Sequence, residues 1–122
     1  GHLGCFCLQG LVLGIGRGYI DVICGSPSGK TYAIDDKSHR CTVVTDGKKL
    51  YRRMGKQQHP FEKDFLSQVI KQALQVKKKR GGKFVTPIVV FSNARVAIPS
   101  NKVKHVHVVE KPQLAALLRS LG

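Results

Sequence analysis

The sequence predicts an α/β domain: a mixed sheet begun by an antiparallel meander, carried through a crossover helix into further strands, and flanked by helices. Three observations predict it. Short apolar runs separated by turn residues fill the first half of the chain. After Pro60 the hydrophobic period changes to steps of three and four. Beyond that helix comes "FVTPIVVFS", a nearly continuous apolar run of the kind that strands covered on both faces show.

Taken in order, residues 5–16, "CFCLQGLVLGIG", are apolar and glycine-spaced and read as an extended element. "RGYIDVICG" (17–25) and "KTYAIDDK" (30–37) are two short strands joined by the turn cluster "SPSG". "RCTVVTDGKKLYRR" (40–53) is a hairpin centred on Asp46-Gly47, a strong turn dipeptide. Phe61, Phe65, Leu66, Val69, Ile70, Ala73 and Leu74 then share one helical face. Pro60 suits the first turn of that helix, and Lys77, Lys78, Lys79 and Arg80 suit its carboxyl end. Gly81-Gly82 stops it. The buried run (84–92) follows, then "VKHVHVV" (103–109) as one alternating strand. A last helix starts near Pro112 and buries Leu114, Leu117, Leu118 and Leu121. Residues 1–122 read as a single domain, and Gly1-His2, which is not a natural start, fits a tag scar on a fragment of a longer chain.

The net charge of +14, from 21 Lys and Arg against seven acids, points to a polyanionic partner, because self-repulsion of that size disfavours a compact state. Nucleic acid is the first candidate. A membrane surface ranks below it: Trp is absent, and no run has the length or apolarity of a membrane span. With no secretory signal in view, the expected location is the cytoplasm.

Two of the seven acids stand together in "YAIDDKSH". Alternation puts Asp35 and Lys37 on one face of the strand and Asp36 on the other. If the hairpin folds so that Gly25 pairs with Thr31, Ile23 meets Ala33 and Asp21 meets Asp35. Carboxylates opposed in that way lie roughly 5 Å apart at Cβ and repel unless a cation joins them. Oxygen ligands suit Mg²⁺, with Mn²⁺ as its substitute. Lys37 then stands where it can stabilise developing phosphate charge. A solvated strand end with a surface ion pair explains Asp36-Lys37, but not Asp21 among apolar neighbours.

"IDVICGSPSGKTYAIDDK" resembles the PD-(D/E)xK nucleases of the restriction-endonuclease-like superfamily, in which an Asp ends one strand and acid-x-Lys lies on its hairpin partner. More narrowly it is similar to the NERD (nuclease-related) domain. "HPFEKDFLSQVIKQAL" is similar to that family's proline-led helix, and "VTPIVVFSNARVAI" to its late buried strand. The resemblance covers about residues 18 to 122. It implies a restriction-endonuclease-like mixed β-sheet, metal binding by Asp21 and Asp35 with the Asp36 carbonyl, and a catalytic role for Lys37. It also implies a polar helper on the helix, Gln68 or Gln72. The chain departs from the family in having no acid before Asp21, and in reading His59-Pro60 and Lys63 where Asn-Pro and Gln are usual.

The basic residues divide into two runs: Lys48, Lys49, Arg52 and Arg53 on the hairpin, and Lys77, Lys78, Lys79, Arg80 and Lys83 at the helix end, all suited to phosphate contacts. Tyr32 and Tyr51 suit base stacking less well than packing. The cysteines, Cys5, Cys7, Cys24 and Cys41, lack paired C-x-x-C knuckles and read as reduced, buried thiols. His39, His59, His105 and His107 invite a zinc reading, but only His105-x-His107 shares a strand face, His39 and His59 are far away in sequence, and no third ligand is obvious. "GSPSGKT" misses the Walker spacing and no helix follows it. The expected function is therefore a Mg²⁺-dependent nuclease of low sequence specificity, with DNA favoured as substrate. The rival reading is a non-catalytic nucleic-acid-binding module on the same scaffold. Should the opening helix of such folds be absent, an exposed strand edge favours a homodimer.

Overall fold

A computed structural model describes residues 6–7, 22–25, 31–79, 81 and 84–121. Strands β1 (Phe6–Cys7), β2 (Val22–Gly25) and β3 (Thr31–Lys37) form an antiparallel series. β2 and β3 pair with Gly25 opposite Thr31 and Ile23 opposite Ala33, the register the sequence predicts. Asp21 itself lies outside the described residues, as do Cys5, Arg80 and Lys83.

After β4 (Thr42–Thr45), β5 (Leu50–Met54) and β6 (Gln57–Pro60), helix α1 (Phe65–Lys79) crosses back to β7 (Val85–Phe91). β7 lies parallel to β3, and β10 (Val106–Glu110) lies parallel to β7 on its other side. With the short β9 (Lys102–Val103) at the edge, one sheet runs β1-β2-β3-β7-β10-β9. α1 covers the face carrying Ala33, Val89 and Phe91. α2 (Lys111–Leu121) covers the other, against Tyr32, Ile34, Ile88, Val90 and Val109. Both faces of β7 are thus buried, which is why its sequence reads apolar throughout. Pro87 is tolerated there because it stands one residue ahead of the point where β10 joins, at Ile88.

Four expectations need correction. First, the strands do not form one sheet: β6, β5, β4 and the short β8 (Arg95–Val96) make a second. Second, Pro60 ends β6 and does not open the helix, whose cap is Asp64: its carboxylate accepts bonds from the Ser67 backbone N–H (3.1 Å) and hydroxyl (2.9 Å). Third, residues 103–109 are not one strand. Lys104 and His105 take φ of 50° and 68°, a two-residue turn that folds β9 back on β10. His105 and His107 therefore share no strand face, and the zinc pattern dissolves. Fourth, Leu74 is 56% exposed rather than part of the buried helix face. The hairpin at Asp46-Gly47 and the four leucines of α2 fall where the sequence puts them.

The two sheets are joined by one continuous pairing. Past the end of the β3–β7 ladder, Ser92 N–H donates to Lys37 C=O (2.9 Å), Arg95 N–H to Cys41 C=O (3.0 Å) and Ala97 N–H to Val43 C=O (2.8 Å). The chains leaving β3 and β7 thus stay side by side while they bend out of the first sheet and become β4 and β8. Residues 38–40 and 92–94 form the bend, and Lys37 stands at its lip.

Candidate active site

Asp35 and Lys37 do lie on one face of β3, the face toward α1, with Ala33 behind them. Asp35 is 3% exposed, and Lys37 Nζ stands 3.2 Å from its Oδ2. The ammonium also lies 4.5 Å above the Phe65 ring, a cation–π contact that fixes the lysine against the first turn of α1. Burying a carboxylate is costly without a compensating charge, and Lys37 supplies one. Asp36 is exposed, on the face toward α2. Of the two candidate helper residues, Gln72 is buried at 4% exposure, and Gln68 is half-buried with its Oε1 shut from solvent and lacking a hydrogen bond. Both project from α1, the element that covers Asp35's face of the sheet.

A cavity of about 350 Å³ opens at Lys37. Lys37, His39, Arg52 and Lys63 line it, with Phe61 and Phe65 as its apolar wall and Glu62 as its one carboxylate. His39 stacks edge-on against Phe61, with ring centroids 5.1 Å apart, and tilted against Phe65 at 5.5 Å. Burial, then the neighbouring Lys37 and Arg52 charges, hold the His39 pKa below its ordinary value, with Glu62 opposing.

The hairpin run of basic residues divides between two places, and of the run at the helix end only the Lys77 and Lys78 side chains are among those described. β5 alternates, so Leu50 and Arg52 turn inward while Arg53 is exposed. Arg52 thereby joins Lys37 at the cavity, away from the exposed Lys48 and Lys49 of the turn. At the far end of α1, Lys77 edges a shallow apolar groove with Leu74 and Phe84, and Lys78 is exposed. Tyr32 is fully buried, so it is core and not a stacking platform. Tyr51 donates a 3.0 Å bond to Asp46. Cys41 is a free, half-buried thiol, its pKa raised by burial against the opposing pull of Arg52.

Sequence reading weighed His39 only as one of four histidines for zinc, named Lys63 only as a departure from the family's helix start, and grouped Arg52 with its hairpin neighbours. His39 carried a signal: it stands two residues past Lys37, in step with the alternation that pairs Asp35 and Lys37. Lys63 carried none, because its approach depends on β6, a strand the sequence did not announce.

Among the described residues no three His, Cys, Asp or Glu side chains gather closely enough to hold a metal ion. They offer a divalent cation one buried carboxylate, that of Asp35, with the Asp36 backbone beside it. Mg²⁺ keeps several waters and binds through one or two carboxylates plus substrate phosphates, so this donor set fits it as a partial site. No helix among the described residues is long and apolar enough to cross a membrane. Comparison with protein-family models, with curated proteins and with solved structures finds no match.

Proposed function

We propose that the chain is a metal-dependent nuclease that hydrolyses phosphodiester bonds of nucleic acid, DNA favoured, with low sequence specificity. The observation that carries this reading is a nearly inaccessible carboxylate paired with an ammonium, at a strand end that opens on a cavity lined with cations, in a chain of net charge +14. Structural ion pairs rarely need such a setting, whereas phosphate chemistry does.

In this reading Asp35, Asp21 and the Asp36 carbonyl would hold Mg²⁺ or Mn²⁺, which would supply activation of a water and compensation of phosphate charge. Asp35 is fixed by its place in a paired strand, opposite Val89, so it needs no reorganisation. Lys37, steered by Phe65, stabilises the negative charge that grows on the phosphate oxygens. Gln68 or Gln72 orients from the helix. Exposed lysines hold the backbone without reading bases. The restriction-endonuclease-like likeness of the sheet, NERD included, belongs to the same proposal. It is supported by the meander, the crossover helix and the parallel β7 placed beside β3.

The absence of a three-ligand cluster among the described residues favours a second reading, a binding module that keeps the charge and has lost the chemistry. One experiment separates them. Supercoiled plasmid and a labelled RNA are incubated with Mg²⁺ or Mn²⁺ and the wild-type, Asp35→Ala or Lys37→Ala protein. Cutting by the wild type alone, with binding kept in all three, supports the enzyme. Equal inactivity of all three with binding intact supports the module.

A further inference from the structure

The cavity beside Lys37 has a composition that metal-assisted cleavage does not require. We propose that it is a phosphate subsite, in which Arg52, Lys63 and His39 hold one phosphate of the strand whose neighbouring phosphodiester faces Asp35 and Lys37, and in which His39 takes up a proton as that phosphate enters. The inference deepens the nuclease reading and rests on it for the identity of the strand.

The size suits it: about 350 Å³ lies within the range of small-ligand sites. So does the charge. Lys37 comes from β3, Arg52 from β5, and Lys63 and Glu62 from the segment between β6 and α1; α1 presents Phe65 and β7 presents Phe91 to the His39 ring. Lys37 is engaged by Asp35, which leaves Arg52 and Lys63 against the single carboxylate of the lining, Glu62, and so one cation of surplus that an anion entering the cavity would offset. Arg52 brings an unused donor, since its Nε is buried with no hydrogen-bond partner and no salt bridge among the described residues uses its guanidinium. His39 lines the cavity and is held there by its aromatic neighbours, and its Nδ1 is also buried with no hydrogen-bond partner.

The proton follows from the same neighbours. Empty, the cavity keeps His39 neutral, because burial and two adjacent cations penalise its charged form. A phosphate reverses the balance and stabilises imidazolium, which then donates to a phosphate oxygen. The linkage has one sign: the bound-state pKa exceeds the free-state pKa, so affinity falls as pH rises through the bound-state value.

The test is done in EDTA, to separate binding from metal chemistry. The His39 ring resonances are followed by NMR while inorganic phosphate, a thymidine dinucleotide, or the same dinucleotide bearing a 5′-phosphate is added. The expected result is that both dinucleotides shift the His39 signals and raise its pKa by about one or more. Arg52→Gln weakens their binding about tenfold, and Arg52→Lys weakens it less. His39→Gln flattens the fall in affinity that the wild type shows as pH rises through the bound-state value. Unmoved His39 resonances at saturation, or wild-type affinity in a folded Arg52→Gln protein, overturn the proposal; so does a response to inorganic phosphate alone. The two readings fail separately. No cleavage by wild-type protein that binds the dinucleotides as expected removes the nuclease and leaves the subsite. Normal cleavage and binding by Arg52→Gln removes the subsite and leaves the nuclease.

Discussion

Asp35 and Asp46 are the same residue in opposite circumstances. Asp46 sits in the turn between β4 and β5, exposed, and its carboxylate is consumed locally: it accepts bonds from the Lys48 and Lys49 backbone N–H groups at 2.8 and 2.9 Å and from the Tyr51 hydroxyl at 3.0 Å. Those donors pull its pKa down to about 2. Asp35 sits at 3% exposure in the middle of the main sheet, beside a lysine, next to a cationic cavity. A turn explains Asp46 completely. The carboxylate at position 35 stands instead on the face that α1 covers, where its charge is opposed by the Lys37 ammonium. The contrast teaches that the same carboxylate can be satisfied by its own turn or held by a charge partner in the core, and under the proposed function only the second takes part in the chemistry.

The sharpest way to break this contrast is kinetic. Asp35→Ala is expected to lower the plasmid-cleavage rate by a factor of about a hundred or more, with Asp46→Ala within about twofold of wild type. If both variants lose the same factor, the distinction between them is false.

Stability comes next. Lys37→Ala strands the buried carboxylate and is expected to cost roughly 2 kcal/mol in urea denaturation. The double variant Asp35→Asn, Lys37→Met should recover most of that loss while remaining inactive, because removing both charges removes the desolvation cost together with the chemistry. A double variant as unstable as Lys37→Ala would mean that the pair stabilises the fold on its own account.

Asp64 offers an intermediate case, a carboxylate spent on capping α1. Asp64→Ala is expected to cost about 1 kcal/mol with cleavage unchanged. Burial works to raise the Asp64 pKa, but the Ser67 backbone and side-chain bonds, with Lys104 and Lys49 nearby, carry it net below its ordinary value. Its stabilisation is therefore present above the unfolded carboxylate value and is lost as pH falls through the depressed one. Substitution should flatten that part of the acid-unfolding curve.

The smallest effect is at Asp46. Its stabilisation is complete above its ordinary 3.8 and disappears as pH falls through about 2. Tyr51→Phe removes one donor and should move the Asp46 NMR titration midpoint upward, with little change in global unfolding.

The particular elements show where sequence reading reaches and where it stops. The β2–β3 register was legible because "SPSG" fixes a hairpin and because a slip by one residue would turn Tyr32 and Ile34 to the wrong face. α1 was legible from its three-and-four period, and β7 from its unbroken apolarity. β6 was not: "QQHP" is exposed at every residue and carries no hydrophobic period, and it is a strand only because β5 offers its edge. The turn at Lys104-His105 was hidden because it carries none of the Asn-Gly, Asp-Gly or Gly-Gly dipeptides that announce a two-residue hairpin turn. The same strand alternation placed Asp35 and Lys37 together from sequence alone, but the cavity beside them was invisible. Its lining comes from β3, β5 and the approach to α1, segments that meet only once the second sheet is formed.

Local pattern, then, was enough to specify the acid and the lysine on one strand face, the helix that covers them and the excess of cations, because alternation and helical period are properties of neighbours along the chain. The bend that carries the β3–β7 pairing from one sheet into the other, and with it the meeting of His39, Arg52 and Lys63 around one cavity, was decided by tertiary structure. Those contacts join residues far apart in sequence, and their geometry depends on how two sheets share a single hydrogen-bonded seam.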